Sequence, residues 1–274
     1  MSVAIASQQI AESLPHVTAP LLYMVPMADR PRSYMYEPPP GVPELNATYE
    51  GRDTIIRNMR PIAPKLSLET EGFRLLHHRS DFKDFYDEDE VRNKHYAEVE
   101  KLVRDTTGAR HVVVFDHTIR RRSEGQRRPV PRIHNDYTVK SGPQRVRDLL
   151  GDEAETLLTR RFSIVNVWRP IRGPLEDSPL ALCDARSIAF EDFAATDLLY
   201  KDRTGEIYYV RHNPAQRWFY APRMTRDEAL IFRCYDSEQD GRARFVPHAA
   251  FEDPTAPRNP LPRESIELRL LVFY

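Results

Sequence analysis

The stretch that most restricts the fold is the last one, Arg263-Glu264-Ser265-Ile266-Glu267-Leu268-Arg269-Leu270-Leu271-Val272-Phe273-Tyr274. In an extended strand, residues two apart share a face. Arg263, Ser265, Glu267 and Arg269 therefore line one side, and Ile266, Leu268 and Leu270 line the other. A strand ending in Leu-Val-Phe-Tyr belongs inside a protein, so its polar stripe needs a wet or liganded interior to face.

The same alternation governs Arg132-Ile133-His134-Asn135-Asp136-Tyr137-Thr138. His134 and Asp136 project the same way, an imidazole and a carboxylate reaching for one point. Two protein ligands do not usually hold a metal. A third from a distant strand would complete a two-His, one-carboxylate facial triad, which leaves adjacent positions open and suits Fe(II). His248, in Phe245-Val246-Pro247-His248, is the candidate. His117 competes with it and is expected near the site rather than on the metal.

Along the chain, residues 1–20 carry no strong period and are expected to be mobile or to lie across a neighbour. Leu21-Leu22-Tyr23-Met24-Val25 is an apolar run stopped by Pro26. Ser33 to Gly41 is proline-rich and extended, with Tyr34 and Tyr36 on one face. Residues 1–60 are thus expected to form an arm or a lid whose aromatics touch substrate, and residues 61–274 a single domain. Asp87 to Glu90 opens a helix with acidic residues where its dipole favours them, and Val91, Tyr96, Val99, Leu102 and Val103 form its apolar stripe. His111 to His117 is a β-branched strand. Arg120-Arg121-Arg122 and Arg127-Arg128, around Ser123 to Gln126, read as a solvated loop, with an acidic partner as the alternative.

A second amphipathic helix spans Gln144 to Leu158, broken at Gly151-Asp152. Strands follow at Phe162 to Trp168 and Leu180 to Asp184, whereas Ile188 to Leu199 reads as a connecting loop or short helix. Glu206 to His212 and Gln216 to Tyr220 read as a hairpin across Asn213-Pro214. Ala229 to Tyr235 is a strand, and Arg244 to Phe251 returns with His248. About eight strands with turn signals suit a mainly β protein with flanking helices, a double-stranded β-helix or cupin-like jelly roll. Its open end is wide enough for a small molecule.

Taken together, His134-x-Asp136, His248 and Arg263-x-Ser265 resemble the non-haem Fe(II)/2-oxoglutarate-dependent dioxygenase superfamily. The wording at His134 to Thr138, Ser141 to Val146, Asn166 to Ile171 and Arg263 to Glu267 is similar to the CmcJ/NvfI/AsaB-type hydroxylase/desaturase group. The likeness runs from about Tyr34 to Tyr274. The separation of Asp136 from His248 exceeds that of the penicillin-synthase-like branch, so insertions between barrel strands are expected and that branch's substrates are not carried over.

The resemblance implies Fe(II) on His134, Asp136 and His248, 2-oxoglutarate as co-substrate, O2 as oxidant, and ascorbate as reductant in vitro. It implies the far carboxylate of 2-oxoglutarate on Arg263 and Ser265, with Arg269 as the alternative, in a cavity lined by Asn166 and Trp168. Tyr137, Arg169, Tyr209 and Tyr220 are the candidate substrate-side residues. Hydroxylation, desaturation and endoperoxide formation on a small natural product, meroterpenoid or polyketide-like, are all compatible. Two rivals stay open. Arg263-x-Ser265-x-Glu267-x-Arg269 has the two-arginine spacing of AlkB-like nucleic-acid demethylases, and a non-catalytic jelly-roll binding protein would hold the same histidines as satisfied core residues.

The bulk numbers fit this reading. At 274 residues one domain buries a sizeable core. The 40 basic and 41 acidic side chains nearly cancel, so neither nucleic acid nor membrane is an expected partner. Two cysteines make no disulfide framework, and the N-terminus lacks the basic start and long apolar core of a signal peptide. A cytoplasmic location is expected. The N-terminal segment is compatible with a homodimer.

Overall fold

The computed structural model describes residues 13–122 and 127–274; the expectations for residues 1–12 and for Ser123 to Gln126 lie outside these. The chain opens with β1 (His16–Met24), β2 (Arg32–Tyr34), β3 (Tyr49–Asn58) and β4 (Phe73–His77). A long helix, α1, runs from Glu88–Glu90 through a π-helical turn at Val91–His95 to Tyr96–Thr107. Asp87 caps it by accepting from the Glu90 backbone N–H, and Gly108 ends it at φ 69°. Next come β5 (His111–Arg121), β6 (His134–Asn135), α2 (Ser141–Leu150), α3 (Ala154–Leu158) and β7 (Phe162–Pro170). The rest is β8 (Leu180–Cys183), β9 (Phe193–Leu199), β10 (Thr204–Val210), β11 (Trp218–Tyr220), β12 (Glu228–Asp236), β13 (His248–Ala250) and β14 (Glu264–Phe273).

These strands make two sheets, a nine-stranded one ordered β1-β3-β11-β8-β13-β6-β10-β9-β2 and a five-stranded one ordered β4-β12-β7-β14-β5. The smaller sheet is apolar on both faces. Val165, Val167, Ile231, Ile266, Leu268 and Leu270 pack outward beneath Val91, Val99 and Val103 of α1. Phe162, Ile164, Trp168 and Phe232 face the larger sheet in the main core. Polar side chains turn inward at Arg263, just before β14, at Ser265, Glu267 and Arg269 on it, and at Asn166 of β7, as the alternation of each strand requires. Across the ladder β5 answers in kind, with Ser265 opposite Arg120, Glu267 opposite Thr118 and Arg269 opposite Asp116.

From His16 onward the N-terminal segment is paired into the large sheet as β1 to β3. Val17, Ala19 and Leu21 of β1 are buried in alternation, a period hidden in the sequence by small residues and by Pro20, which an edge strand tolerates. Three expectations are corrected. Phe193 to Leu199 is a strand, not a loop, and pairs along its length with β10. The Glu206 and Gln216 segments form no hairpin. Both edges of β10 are taken by β9 and β6, and β11 inserts between β3 and β8 instead. Arg120 and Arg121 extend β5 rather than starting a loop.

Gly72 opens β4 at φ +86°, and a Cβ there would lie 2.4 Å from Cγ2 of Val246, just ahead of His248. Gly72→Ala is expected to cost about 1–3 kcal/mol and to lower Tm by several degrees in calorimetry. An unchanged Tm would contradict this close approach.

Candidate active site

Register assembles the site. On β6, His134 stands directly opposite His248 of β13 on one side and Tyr209 of β10 on the other. Directly opposed residues share a face with Cβ atoms about 5 Å apart, and the two imidazole centroids are 4.4 Å apart. Asp136 follows on the same face. One ligand atom from each of His134, Asp136 and His248 lies within 4.8 Å of the others, the one such cluster among the described residues.

Asn135, between the two ligands, points the opposite way and is fully buried. Its amide donates to the carbonyls of Tyr137 at 2.6 Å and Cys234 at 2.8 Å, and its oxygen accepts from the Val246 N–H at 3.1 Å. One side chain thereby ties the His134 strand to the segment that delivers His248. The sequence reading gave Asn135 no role, although its position on the opposite face of a ligand strand was the available signal.

Hydrogen bonding decides which atoms remain free. Nδ1 of His134 donates to the Arg132 carbonyl at 2.8 Å, and Nδ1 of His248 donates to the Val246 carbonyl at 3.0 Å. A carbonyl only accepts, so each ring keeps its proton on Nδ1 and turns a bare Nε2 inward. Those nitrogens face Oδ1 of Asp136 at 3.5 and 3.8 Å. The other carboxylate oxygen, Oδ2, is already engaged by Asn166 Nδ2 at 2.8 Å and Arg269 Nε at 3.0 Å. Burial works against the Asp136 charge, but Arg269, the two histidines and Asn166 outweigh it and hold the carboxyl well below its usual range. Burial, with His248 next, pushes His134 down to about 3. Three lone pairs converge with no proton between them, a donor set that fits a divalent cation.

From this point a narrow recess runs between the sheets, lined by His134, His248, Arg120, Arg263 and Glu267 among others. Arg263 is buried, with its guanidinium 4.9 Å over the Trp168 ring. Its Nε donates to Ser265 Oγ and its Nη1 to the Ser178 carbonyl, each at 2.8 Å. Burial, with Arg120 next, pushes this guanidinium down to about 9. Arg120 is likewise lowered by burial, lines the same recess, and was missed in the sequence. The signal lay in the alternation Asp116, Thr118, Arg120, the counterpart of the β14 stripe.

A larger cavity of about 1130 Å³ opens on the other side of the triad, with Tyr34, Tyr36, Phe115, Tyr137 and Tyr209 in its walls. Several sequence candidates fall elsewhere. Arg269 has its three nitrogens on Asp136, Asp116, Thr118 and Glu267. Asn166 bonds Asp136 instead of lining a co-substrate pocket with its amide. Arg169 points to the opposite face of β7 and donates to the carbonyls of His78 and Arg226. Tyr220 is packed edge-on to Phe251 at 5.3 Å, away from both spaces. His117 faces α1, bonded to Tyr96 and near Glu88.

A family model described as "Oxidoreductase/YMDC permease-like domain" matches residues 21–273. Among the described residues no helix is long and apolar enough to cross a membrane. The hydroxylase/desaturase efuI of Hormonema carpetanum is 31% identical over 254 residues, covering 82% of this chain and 85% of that protein. The Fe(II)/2-oxoglutarate-dependent dioxygenase nvfI of Aspergillus novofumigatus is 33% identical over 257 residues, covering 88% and 90%. The solved iron and alpha-ketoglutarate-dependent endoperoxidase NvfI superposes with a TM-score of 0.88 at 30% identity, covering 94% of this chain and 98% of that one. The chain belongs to the Fe(II)/2-oxoglutarate-dependent dioxygenases and has their jelly-roll fold. These relatives favour the oxygenase reading over the AlkB-like and non-catalytic alternatives.

Two outcomes are expected of the site. Asn135→Ala strands a buried N–H and two carbonyls, each costing about 1–3 kcal/mol, so both Tm and Fe(II) affinity should fall; intact Fe(II) affinity would show that Asn135 does not align the ligands. In metal-free protein, unfolded chain takes up a proton on His134 near its ordinary 6.5, which the fold refuses until about 3. Stability should therefore fall as pH drops through that window. His134→Gln should flatten this limb in denaturant titrations, and an unaltered slope would contradict a neutral buried imidazole.

Proposed function

We propose that His134 Nε2, His248 Nε2 and Asp136 Oδ1 hold Fe(II) and that the recess beside them takes 2-oxoglutarate, in an enzyme oxidising a small natural-product scaffold. The observation that carries this is the division of labour at Asp136, where Oδ2 is spent on Arg269 and Asn166 while Oδ1 faces two bare imidazole nitrogens. With O2, Fe(II) and 2-oxoglutarate supply the oxidising power that removes hydrogen from an unactivated C–H bond.

The chain's own residues do the positioning. Arg263 Nη2 and the Ser265 hydroxyl, whose hydrogen remains free while its oxygen accepts from Nε, take the far carboxylate of the co-substrate as charge-assisted donors. Trp168 beneath the guanidinium fixes its plane. Arg120 adds a second cation to the recess. On the substrate side, Tyr34, Tyr36, Tyr137 and Tyr209 form a wall that excludes water from the reacting carbon. Hydroxylation, desaturation and endoperoxide formation all begin with the same hydrogen removal, and the position of the substrate radical against this wall selects among them. Two free buried cysteines, Cys183 and Cys234, fit a reducing compartment such as the cytoplasm.

Purified protein is expected to convert 2-oxoglutarate to succinate only with Fe(II). His134→Ala, Asp136→Ala and His248→Ala should each abolish Fe(II) binding in anaerobic calorimetry. Arg263→Ala should keep Fe(II) affinity but weaken 2-oxoglutarate at least about tenfold, the value of one lost charge-assisted pair. Full turnover after removal of the metal, or Fe(II) binding that survives loss of Asp136, would refute the assignment.

A further inference from the structure

We infer that the substrate enters as an anion, a carboxylate on a largely apolar scaffold, and that Arg132 and Arg145 hold its acidic group; this rests on the oxygenase reading above. Arg132 lies two residues before His134 and points to the same side of the extended chain. It reaches the cavity beside Tyr49, with its guanidinium 5.5 Å from that ring. Arg145, on α2, enters from the Phe115 and Tyr137 wall, 5.8 Å from the Phe115 ring. Both line the cavity that contains His134 and Asp136.

Among the described residues neither guanidinium has a carboxylate partner, and the Nε of each is buried without a hydrogen bond. Arg269 differs, surrounded by Asp136, Asp116 and Glu267, and Arg30 takes Asp197 and Glu206 from the exposed side. The acids on the inner wall are thereby consumed: Asp136 and Asp116 by Arg269, Asp197 and Glu206 by Arg30. Glu37, Glu44 and Asp148 sit exposed, and Asp148 accepts from Gln144. Within the recess, Arg120 and Arg263 face the space proposed for 2-oxoglutarate, whose charge they match. Arg127, Lys140 and Arg203 also line the cavity but are exposed, which leaves Arg132 and Arg145 as the partly buried cations on the substrate side. Both side chains are partly buried, each with a buried Nε that no protein group accepts from, and the aromatic ring beside each guanidinium carries no counter-charge. An incoming carboxylate supplies the missing partner, while Tyr34, Tyr36, Phe115, Tyr137 and Tyr209 receive the apolar remainder.

The test uses matched pairs as probes, a terpenoid carboxylic acid and an aromatic polyketide acid, each with its methyl ester. These are titrated calorimetrically under argon into protein carrying Fe(II) and 2-oxoglutarate. At least one acid is expected to bind tenfold or more tighter than its ester, the scale of a charge-assisted hydrogen-bonded pair. Arg132→Gln/Arg145→Gln should erase that ratio without altering 2-oxoglutarate affinity, and Arg132→Lys/Arg145→Lys should restore part of it. Equal binding of acid and ester, no binding of any acid, or an acid preference that survives the double Gln variant would overturn the inference. Loss of Fe(II) or 2-oxoglutarate binding by the unaltered protein would instead overturn the oxygenase reading, so the two failures are separable.

Discussion

Everything at the centre of this molecule depends on how one buried carboxylate is shared. Asp136 gives Oδ2 to Arg269 and Asn166 and presents Oδ1 to the bare nitrogens of His134 and His248. A carboxylate in a dry interior ordinarily neutralises by taking up a proton. Here the guanidinium prevents that, so the site keeps one anionic ligand and two neutral ones. The arrangement also fixes orientation, because the oxygen that Arg269 and Asn166 hold cannot swing to the metal side. A buried ion pair of this sort contributes little net stability and is strongly destabilising when one partner is removed. Its presence argues for a role beyond holding the fold.

Arg269 reaches Asp136 because the two sheets differ. The five-stranded sheet is covered by α1 on one face and by the larger sheet on the other, so β14 carries apolar residues to α1 and polar residues inward. The ladder with β5 doubles the stripe, placing Arg120 beside Ser265 and Asp116 beside Arg269. The larger sheet contributes the histidines through adjacent strands in register. The metal-binding face and the guanidinium face thus come from opposite walls, and the co-substrate recess is the gap between them. Asn135 stitches the histidine strands together from behind.

Much of this was legible where side-chain alternation and function coincide. The period of two in Arg263 to Arg269 exposes an inward polar stripe, and His134-x-Asp136 announces a shared face. The sequence says less where a strand is short or its identity comes from its neighbours. Phe193 to Leu199 contains Ala-Ala-Thr-Asp and gains its place from pairing with β10. Gln216 to Tyr220 has a turn signal before it, yet β11 is claimed by β3 and β8. Residues 120–122 look like solvated charge because Arg is usually exposed, and the alternation Asp116, Thr118, Arg120 becomes decisive once Ser265 is seen as the ladder partner of Arg120. Asn166 and Arg269 were recognisable as inward residues. That both bond Asp136 follows from the β7–β14 pair, where they stand directly opposite each other.

The central claim is most directly tested by a crystal structure of the protein grown with Mn(II) or, anaerobically, Fe(II). The account predicts one ion bound through Nε2 of His134, Nε2 of His248 and a single oxygen of Asp136, with the second oxygen still bonded to Asn166 and Arg269. An ion held by both Asp136 oxygens with Arg269 displaced, or one bound away from these three side chains, would contradict it.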